Sequence, residues 1–299
     1  MDDAVFDKVI SGLYDIGGKY DILLGTGESL LELDRVGAIL EWANVHGKVV
    51  TILTAGMPLV DRAVAVLEKS NNLVLQVTFD GMCQDDIAGI QITNIDIVKS
   101  RAKRAAETLD VQFNYTVHVK SIDSVKRFLD FSRECGVDRV FLTPIQIYDV
   151  CEDVREISIN TTDDEIREKF AAYMEYARGL GIRLKIPDVR VPSPSIGYGE
   201  LFSLCRKGQY LRPIIRVDGG VSVCWGREDV LLGDLRTQSF AECIGKAPYE
   251  RIDKMLGSEE VPELCLGCNV LSDLKSDTYR VPRRAPVYAV HTLLGQGEG

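Results

Sequence analysis

The order in which strand and helix patterns alternate is what most restricts the fold of this chain. Val5, Phe6, Val9, Ile10 and Leu13 recur at helical spacing after Asp2, and Gly17-Gly18 ends the segment. A short apolar run over 20–24 then reaches Gly25-Thr26-Gly27-Glu28, and 30–44 returns to helical spacing. The unit repeats, with strands expected over 49–53, 73–79, 112–119 and 139–142. Helices through Val60, Val64 and Leu67, over about 95–109, and through Val125, Phe128 and Leu129 separate them. Five strands alternating with helices imply an α/β fold with a parallel sheet and right-handed crossovers, either doubly wound or part of a βα barrel. Both architectures gather ligands at the carboxyl ends of the strands. The segments 25–28, Thr54-Ala55-Gly56 and Asp80-Gly81 should therefore line one face.

Thr162 with Glu165 is a capping-box signature, and Ile166, Phe170, Tyr173, Met174 and Ala177 form the stripe of the helix it starts. A last α/β unit closes near Ile186, after which Pro187, Pro192, Pro194, Gly197 and Gly199 mark a linker. The expected division is a first domain over 1–186, a linker over 187–204, a second domain over 205–275 and a tail over 276–299. Within the second domain, Asp218-Gly219-Gly220 between apolar runs at 211–217 and 221–224 is a hairpin signal. A helical stretch over about 238–256 follows.

The net charge of −10 and a pI near 5.0 argue against a partner bound through a phosphate backbone, so no nucleic acid is expected. The one dense basic run, Lys99, Arg101, Lys103 and Arg104, reads as a solvated helix face. No apolar run reaches the roughly 18–20 residues of a membrane span, and the acidic start lacks the features of a secretory signal. The expected location is the cytoplasm, with no membrane partner. Eight cysteines in such a chain point to metal binding or catalysis more than to disulfides.

Cys265 and Cys268 form a C-x-x-C pair, Cys224 ends the second hairpin strand, and Cys205 precedes the first. Two pairs can thus converge on one metal site. Thiolate sets suit zinc or iron-sulfur clusters. The wide Cys205–Cys224 spacing is unlike the two tight knuckles of a zinc ribbon, which favours a 4Fe-4S cluster. Cys83, Cys135, Cys151 and Cys243 have no paired spacing and read as packing residues.

Taken together, these residues resemble radical S-adenosylmethionine (SAM) enzymes that carry a C-terminal SPASM or Twitch domain. Cys205, Gly219, Cys224 and Cys265-x-x-Cys268 look like the auxiliary-cluster pattern, and the lack of any cysteine after Cys268 resembles the shorter, one-cluster Twitch form. Residues 1–186 are similar to the family's partial (βα)6-type TIM-like barrel with its first strand missing. Gly25-Thr26-Gly27-Glu28-Ser29 resembles the family's Gly-Gly-Glu-Pro strand end, which receives the SAM amino group; Ser29 stands where proline is usual. Thr54-Ala55-Gly56 and Thr78-Phe79-Asp80-Gly81 resemble the next two strand ends, the second within reach of the SAM ribose or carboxylate. The resemblance thus implies Gly25, Gly27, Glu28, Thr54, Thr78 and Asp80 as cofactor-binding residues, and Cys205, Cys224, Cys265 and Cys268 as cluster ligands.

The family's Cys-x-x-x-Cys-x-x-Cys, which binds the SAM-cleaving cluster, appears nowhere in the sequence. The reading favoured here is that this segment belongs upstream of Asp2, and a second 4Fe-4S cluster is expected only with it. The implied activity is reductive cleavage of SAM and hydrogen abstraction from a peptide or small-molecule substrate, with a reductant such as a ferredoxin or flavodoxin. Two alternatives stand beside it: a non-catalytic iron-sulfur electron-transfer or binding protein with a degenerate SAM domain, and a zinc-stabilised binding module. No catalytic residue is assigned. Glu28 ranks first among the barrel residues, since a carboxylate at a glycine-rich strand end needs a partner. His118 reads as a packed strand histidine, and Asn114, Tyr115 and Gln146 as residues that could face the mouth.

Overall fold

Asp2 caps the first helix, α1 (Asp3–Asp15), its carboxylate accepting from the Val5 amide at 2.8 Å. The computed structural model describes residues 1–17, 21–25, 27–87, 94–144, 157, 159, 163–186, 213–223, 230–245, 247, 248, 250 and 287–291. Six strands follow in sequence order: β1 (Asp21–Gly25), β2 (Val50–Thr54), β3 (Leu73–Phe79), β4 (Val111–Val117), β5 (Arg139–Pro144) and β6 (Arg183–Lys185). Each pairs in parallel with the next. The crossovers carry α2 (Leu33–His46), α3 (Asp61–Leu67), α4 (Ile95–Ala106), α5 (Val125–Glu134) and α6 (Asp164–Gly179). This is the parallel α/β arrangement expected of a partial barrel.

Several boundaries shift for local reasons. Residues Ser29–Leu31 form a 3-10 turn, so α2 begins only at Leu33. The fourth strand stops at Val117 because the chain turns at His118, whose amide donates to Ser121 Oγ at 3.0 Å. At the start of α6 the cap is Asp163, which accepts from the Glu165 amide at 2.9 Å. The capping residue read from sequence, Thr162, lies outside the described residues. The basic run lies on α4, where Lys103 and Arg104 are exposed and Arg104 pairs with Asp61.

Burial alternates along the strands with the period of two that a pleated chain imposes. On β3, Leu73, Leu75, Val77 and Phe79 are buried while Val74, Gln76 and Thr78 are half-buried. The buried set meets the helices: Phe79 and Phe113 pack against Phe128 and Phe131 of α5, with Phe113 and Phe131 stacked at 5.8 Å. The opposite set, Gln76, Thr78, Gln112, Asn114, Thr116, Phe141 and Thr143, turns away from them.

A smaller antiparallel part follows. β7 (Ile214–Ile215) and β8 (Gly220–Ser222) form the expected hairpin, in which Gly219 takes φ +89° and Asp218 Oδ1 accepts from the Gly220 amide. A third strand, β9 (Leu231–Asp234), pairs with β8. Its brevity and its Gly233 hid it from the periodicity argument. Helix α7 (Phe240–Ile244) opens on a full capping box, Ser239 with Glu242. Lys8 of α1 donates to the Leu235 carbonyl at 2.6 Å, tying the first helix to this part.

Finally β10 (Val287–His291), inside the segment read as a tail, pairs in parallel with β1 on one side and β7 on the other. The described strands thus form one ten-stranded sheet in the order β6-β5-β4-β3-β2-β1-β10-β7-β8-β9. Among the described residues, no helix is long and apolar enough to cross a membrane.

Candidate cofactor site at the strand ends

Glu28 sits three residues past the end of β1, and its carboxylate reaches across to the end of β2. Its Oε2 accepts from the Thr54 hydroxyl at 2.9 Å and from the Ala55 amide at 3.0 Å. Thr54 Oγ1 in turn accepts from the Gly56 amide at 3.0 Å. The two strand ends picked out by sequence are therefore welded through a single carboxylate oxygen.

The other oxygen, Glu28 Oε1, is buried and has no hydrogen-bond partner. Burial pushes the carboxyl above its ordinary 4.5, against the downward pull of the Ala55 amide, the Thr54 hydroxyl and the nearby Leu30 amide. A buried acceptor left open is costly, at about 1–3 kcal/mol. A ligand N–H, above all one carrying positive charge, would satisfy it. The ammonium of an amino acid group matches this acceptor in chemistry: it donates and it compensates the charge.

Gly25 sits at the top of β1, where a Cβ would fall 2.6 Å from the Leu53 side chain. Gly27 is described beside Glu28, whereas Thr26 lies outside the described residues. Thr78 is on the helix-free face of β3, directly in register with Asn114 of β4.

Beyond β3, the Asp80-Gly81 loop is clamped from two sides. His118 is fully buried and its Nε2 lies 2.9 Å from the Asp80 carbonyl, so Nε2 is the protonated nitrogen there. Asp86 folds back: Oδ2 accepts from the Met82 amide at 2.7 Å and the Cys83 amide at 3.2 Å, and Oδ1 from the Ser124 hydroxyl at 2.9 Å. Arg127 donates to Ser124 Oγ at 2.7 Å and stands 3.8 Å from Asp86. A Cβ on Gly81 would lie 2.5 Å from that of Asp86, so this loop closes only on glycine.

His118 is thus a packed histidine that also holds the loop. Tyr115 is no mouth residue: it is buried on the helix side, stacked on Phe128, and its hydroxyl donates to the Ser121 carbonyl. Asn114 does face away from the helices, bonded to Thr143 of β5 at 2.7 Å. Gln146 lies outside the described residues. Sequence reasoning missed Asp86 and Ser124, which are 38 residues apart and carry no shared motif.

Cys205, Cys224, Cys265 and Cys268 all lie outside the described residues, as does Cys151. Among the described residues there is no group of three or more potential metal ligands. Cys83, Cys135 and Cys243 are free thiols. Burial pushes the Cys135 and Cys243 thiols up to about 11, which makes them poor thiolate donors.

With this geometry in hand, comparison places the chain. Residues 205–269 match the SPASM family, an iron-sulfur cluster-binding domain. No curated protein matches the chain in sequence. Among solved structures, anSMEcpe with bound AdoMet and Cp18Cys peptide aligns at TM-score 0.60 and 16% identity, covering 93% of this chain and 84% of that one. Streptococcus suis SuiB bound to precursor peptide SuiA aligns at TM-score 0.58 and 17% identity, covering 84% of this chain. The chain spans 59% of that SuiB chain's length. At such identities the likeness is one of fold alone, the parallel α/β arrangement described above.

Proposed function

We propose that this chain, a radical SAM-type fold carrying a SPASM segment, binds S-adenosylmethionine at the carboxyl ends of β1 to β3 and holds an auxiliary 4Fe-4S cluster. The activity inferred for the full protein is reductive cleavage of that cofactor with hydrogen abstraction from a peptide. One observation carries the reading: Glu28 offers a buried, unpartnered Oε1 at the strand end while Thr54 and Ala55 hold its other oxygen.

In this reading Glu28 accepts an N–H of the SAM amino group, and the loading of Oε2 keeps Oε1 aimed at it. Gly25 and Gly27 let the backbone come close, and Thr78 and Asp80 contact the ribose or carboxylate. When bound, the cofactor supplies the hard chemistry and the protein orients it. Cys205, Cys224, Cys265 and Cys268 give four thiolates, the donor set a 4Fe-4S cluster takes. With all four engaged, no iron is open to substrate, so the cluster's role is electron transfer or structure. A ferredoxin or flavodoxin is the proposed reductant, and the cytoplasm the proposed setting. A second cluster would require the Cys-x-x-x-Cys-x-x-Cys segment that this sequence does not contain. The peptide assignment is supported by the two fold relatives solved with peptides bound.

The test is calorimetric titration of SAM into the anaerobically reconstituted chain, with iron content and cluster absorbance read in parallel. Glu28→Ala should abolish SAM binding and leave the absorbance unchanged. Unaltered SAM affinity in Glu28→Ala refutes the assignment.

A further inference from the structure

His118 stands directly after β4, fully buried, with its ring against the loop that follows β3. Its own main chain is fixed in place: the amide donates to Ser121 Oγ at 3.0 Å, and the carbonyl accepts from the Ser121 and Ile122 amides, both at 3.0 Å. With Nε2 donating to the Asp80 carbonyl, Nδ1 is left as an acceptor, and it is buried with no hydrogen-bond partner. Core filling does not account for such a residue. A leucine or phenylalanine would occupy comparable space without an orphaned ring nitrogen, which a buried site holds only at a cost. What the imidazole adds over either is one hydrogen bond, to Asp80.

The loop that receives this bond is tied at each following step. Met82 and Cys83 donate their amides to Asp86, the Met82 carbonyl accepts from Lys99 Nζ of α4 at 3.5 Å, and the Cys83 carbonyl accepts from the Asp86 amide at 3.2 Å. Gly81 and Met82 are buried by this folding, whereas Asp80 stays half-buried and its carboxylate makes no hydrogen bond or ion pair among the described residues. A loop held this firmly around one open carboxylate has already lost the freedom that ligand binding would otherwise remove. Of the two cofactor groups assigned to it above, the SAM carboxylate would repel it, while the ribose hydroxyls can donate to it. The ribose is the matching partner.

Resting on the SAM-binding reading above, we infer that His118 is a positioning residue for the cofactor's ribose: its Nε2–H fixes the Asp80 carbonyl, and through that backbone the direction in which the Asp80 carboxylate meets the ribose hydroxyls. The histidine touches the loop and not the cofactor. Its effect therefore passes through Asp80 and vanishes when that carboxylate is removed.

The experiment titrates SAM calorimetrically into the anaerobically reconstituted full chain and its variants, with urea midpoints showing that each is folded. His118→Leu and His118→Phe fill the space without a donor, whereas His118→Gln keeps a side-chain N–H. Both apolar variants should bind SAM about fivefold more weakly, the worth of one hydrogen bond, and glutamine should stay within about twofold of the unsubstituted chain. In an Asp80→Ala background, His118→Leu should change the affinity by less than about twofold. Apolar variants that bind as well as the unsubstituted chain, glutamine as weak as leucine, or an undiminished loss in the Asp80→Ala background each overturn the role of His118 and leave the cofactor reading intact. An unsubstituted chain that binds no SAM sinks the cofactor reading, and this role with it.

Discussion

Replacing Asp86 with alanine tests whether the loop after β3 is built the way its hydrogen bonds indicate. The substitution orphans the Met82 amide, which is buried, and the Cys83 amide, which water can partly reach. An unsatisfied buried donor costs about 1–3 kcal/mol, and the half-exposed one falls at the low end of that range. The Arg127 contact adds little, because the guanidinium is 59% exposed and such pairs are worth roughly 0–1 kcal/mol. The expected loss is about 3 kcal/mol. Asp86→Asn should lose under about 1 kcal/mol, since its remaining oxygen can face the two amides while its NH2 meets Ser124 Oγ. Urea unfolding reads both, as a lower midpoint at unchanged slope. Adding Ser124→Ala to Asp86→Ala should cost about 1 kcal/mol less than Ser124→Ala alone, because the bond it removes is already gone. An Asp86→Ala loss below about 1 kcal/mol, or equal losses for alanine and asparagine, would show that the loop is held by something else.

Two further outcomes follow from the same geometry. Because burial raises the Glu28 carboxyl, the native chain holds that proton more tightly than the unfolded one; this contribution is fully present below about 4.5 and is lost as pH climbs through the raised native value. Glu28→Gln should remove that decline, seen as a flatter curve of urea midpoint against pH, and an identical curve would contradict it. Deleting residues 287–299 should weaken hydrogen-exchange protection at Leu23, whose amide faces β10, while Ile22, bonded to Val49 on the β2 side, and β3 to β5 keep theirs, and unchanged exchange at Leu23 would argue against the β10 pairing.

The parallel half of the fold was legible because its strands are separated by helices of ordinary length and its apolar periodicity is strong. Leu73–Phe79 matched residue for residue, and the other strands shifted by one or two residues at their ends, the fourth stopping short where the chain turns at His118. Glu28 and Thr54 could be named because glycine-rich strand ends leave a written trace. Asp86 and Ser124 could not, since their bond joins two loops that only the packing of α5 brings together. Tyr115 and Asn114, adjacent on one strand, looked alike in sequence; the pleat sends one into the aromatic core and the other to the open face. The last strand was hidden by its surroundings, since its prolines, arginines and glycines read as a frayed end.

That last strand also sets an order of events. β1 is made early and β7 after most of the chain, yet both take hydrogen bonds from Val287–His291, which leaves the ribosome after every other described element. The β1 to β6 half can assemble from near neighbours as it emerges, whereas the hairpin joins the same sheet only after a loop of more than 260 residues has closed. Among the described strands, the seam between the six-stranded parallel half and the antiparallel hairpin is therefore closed by the last one made.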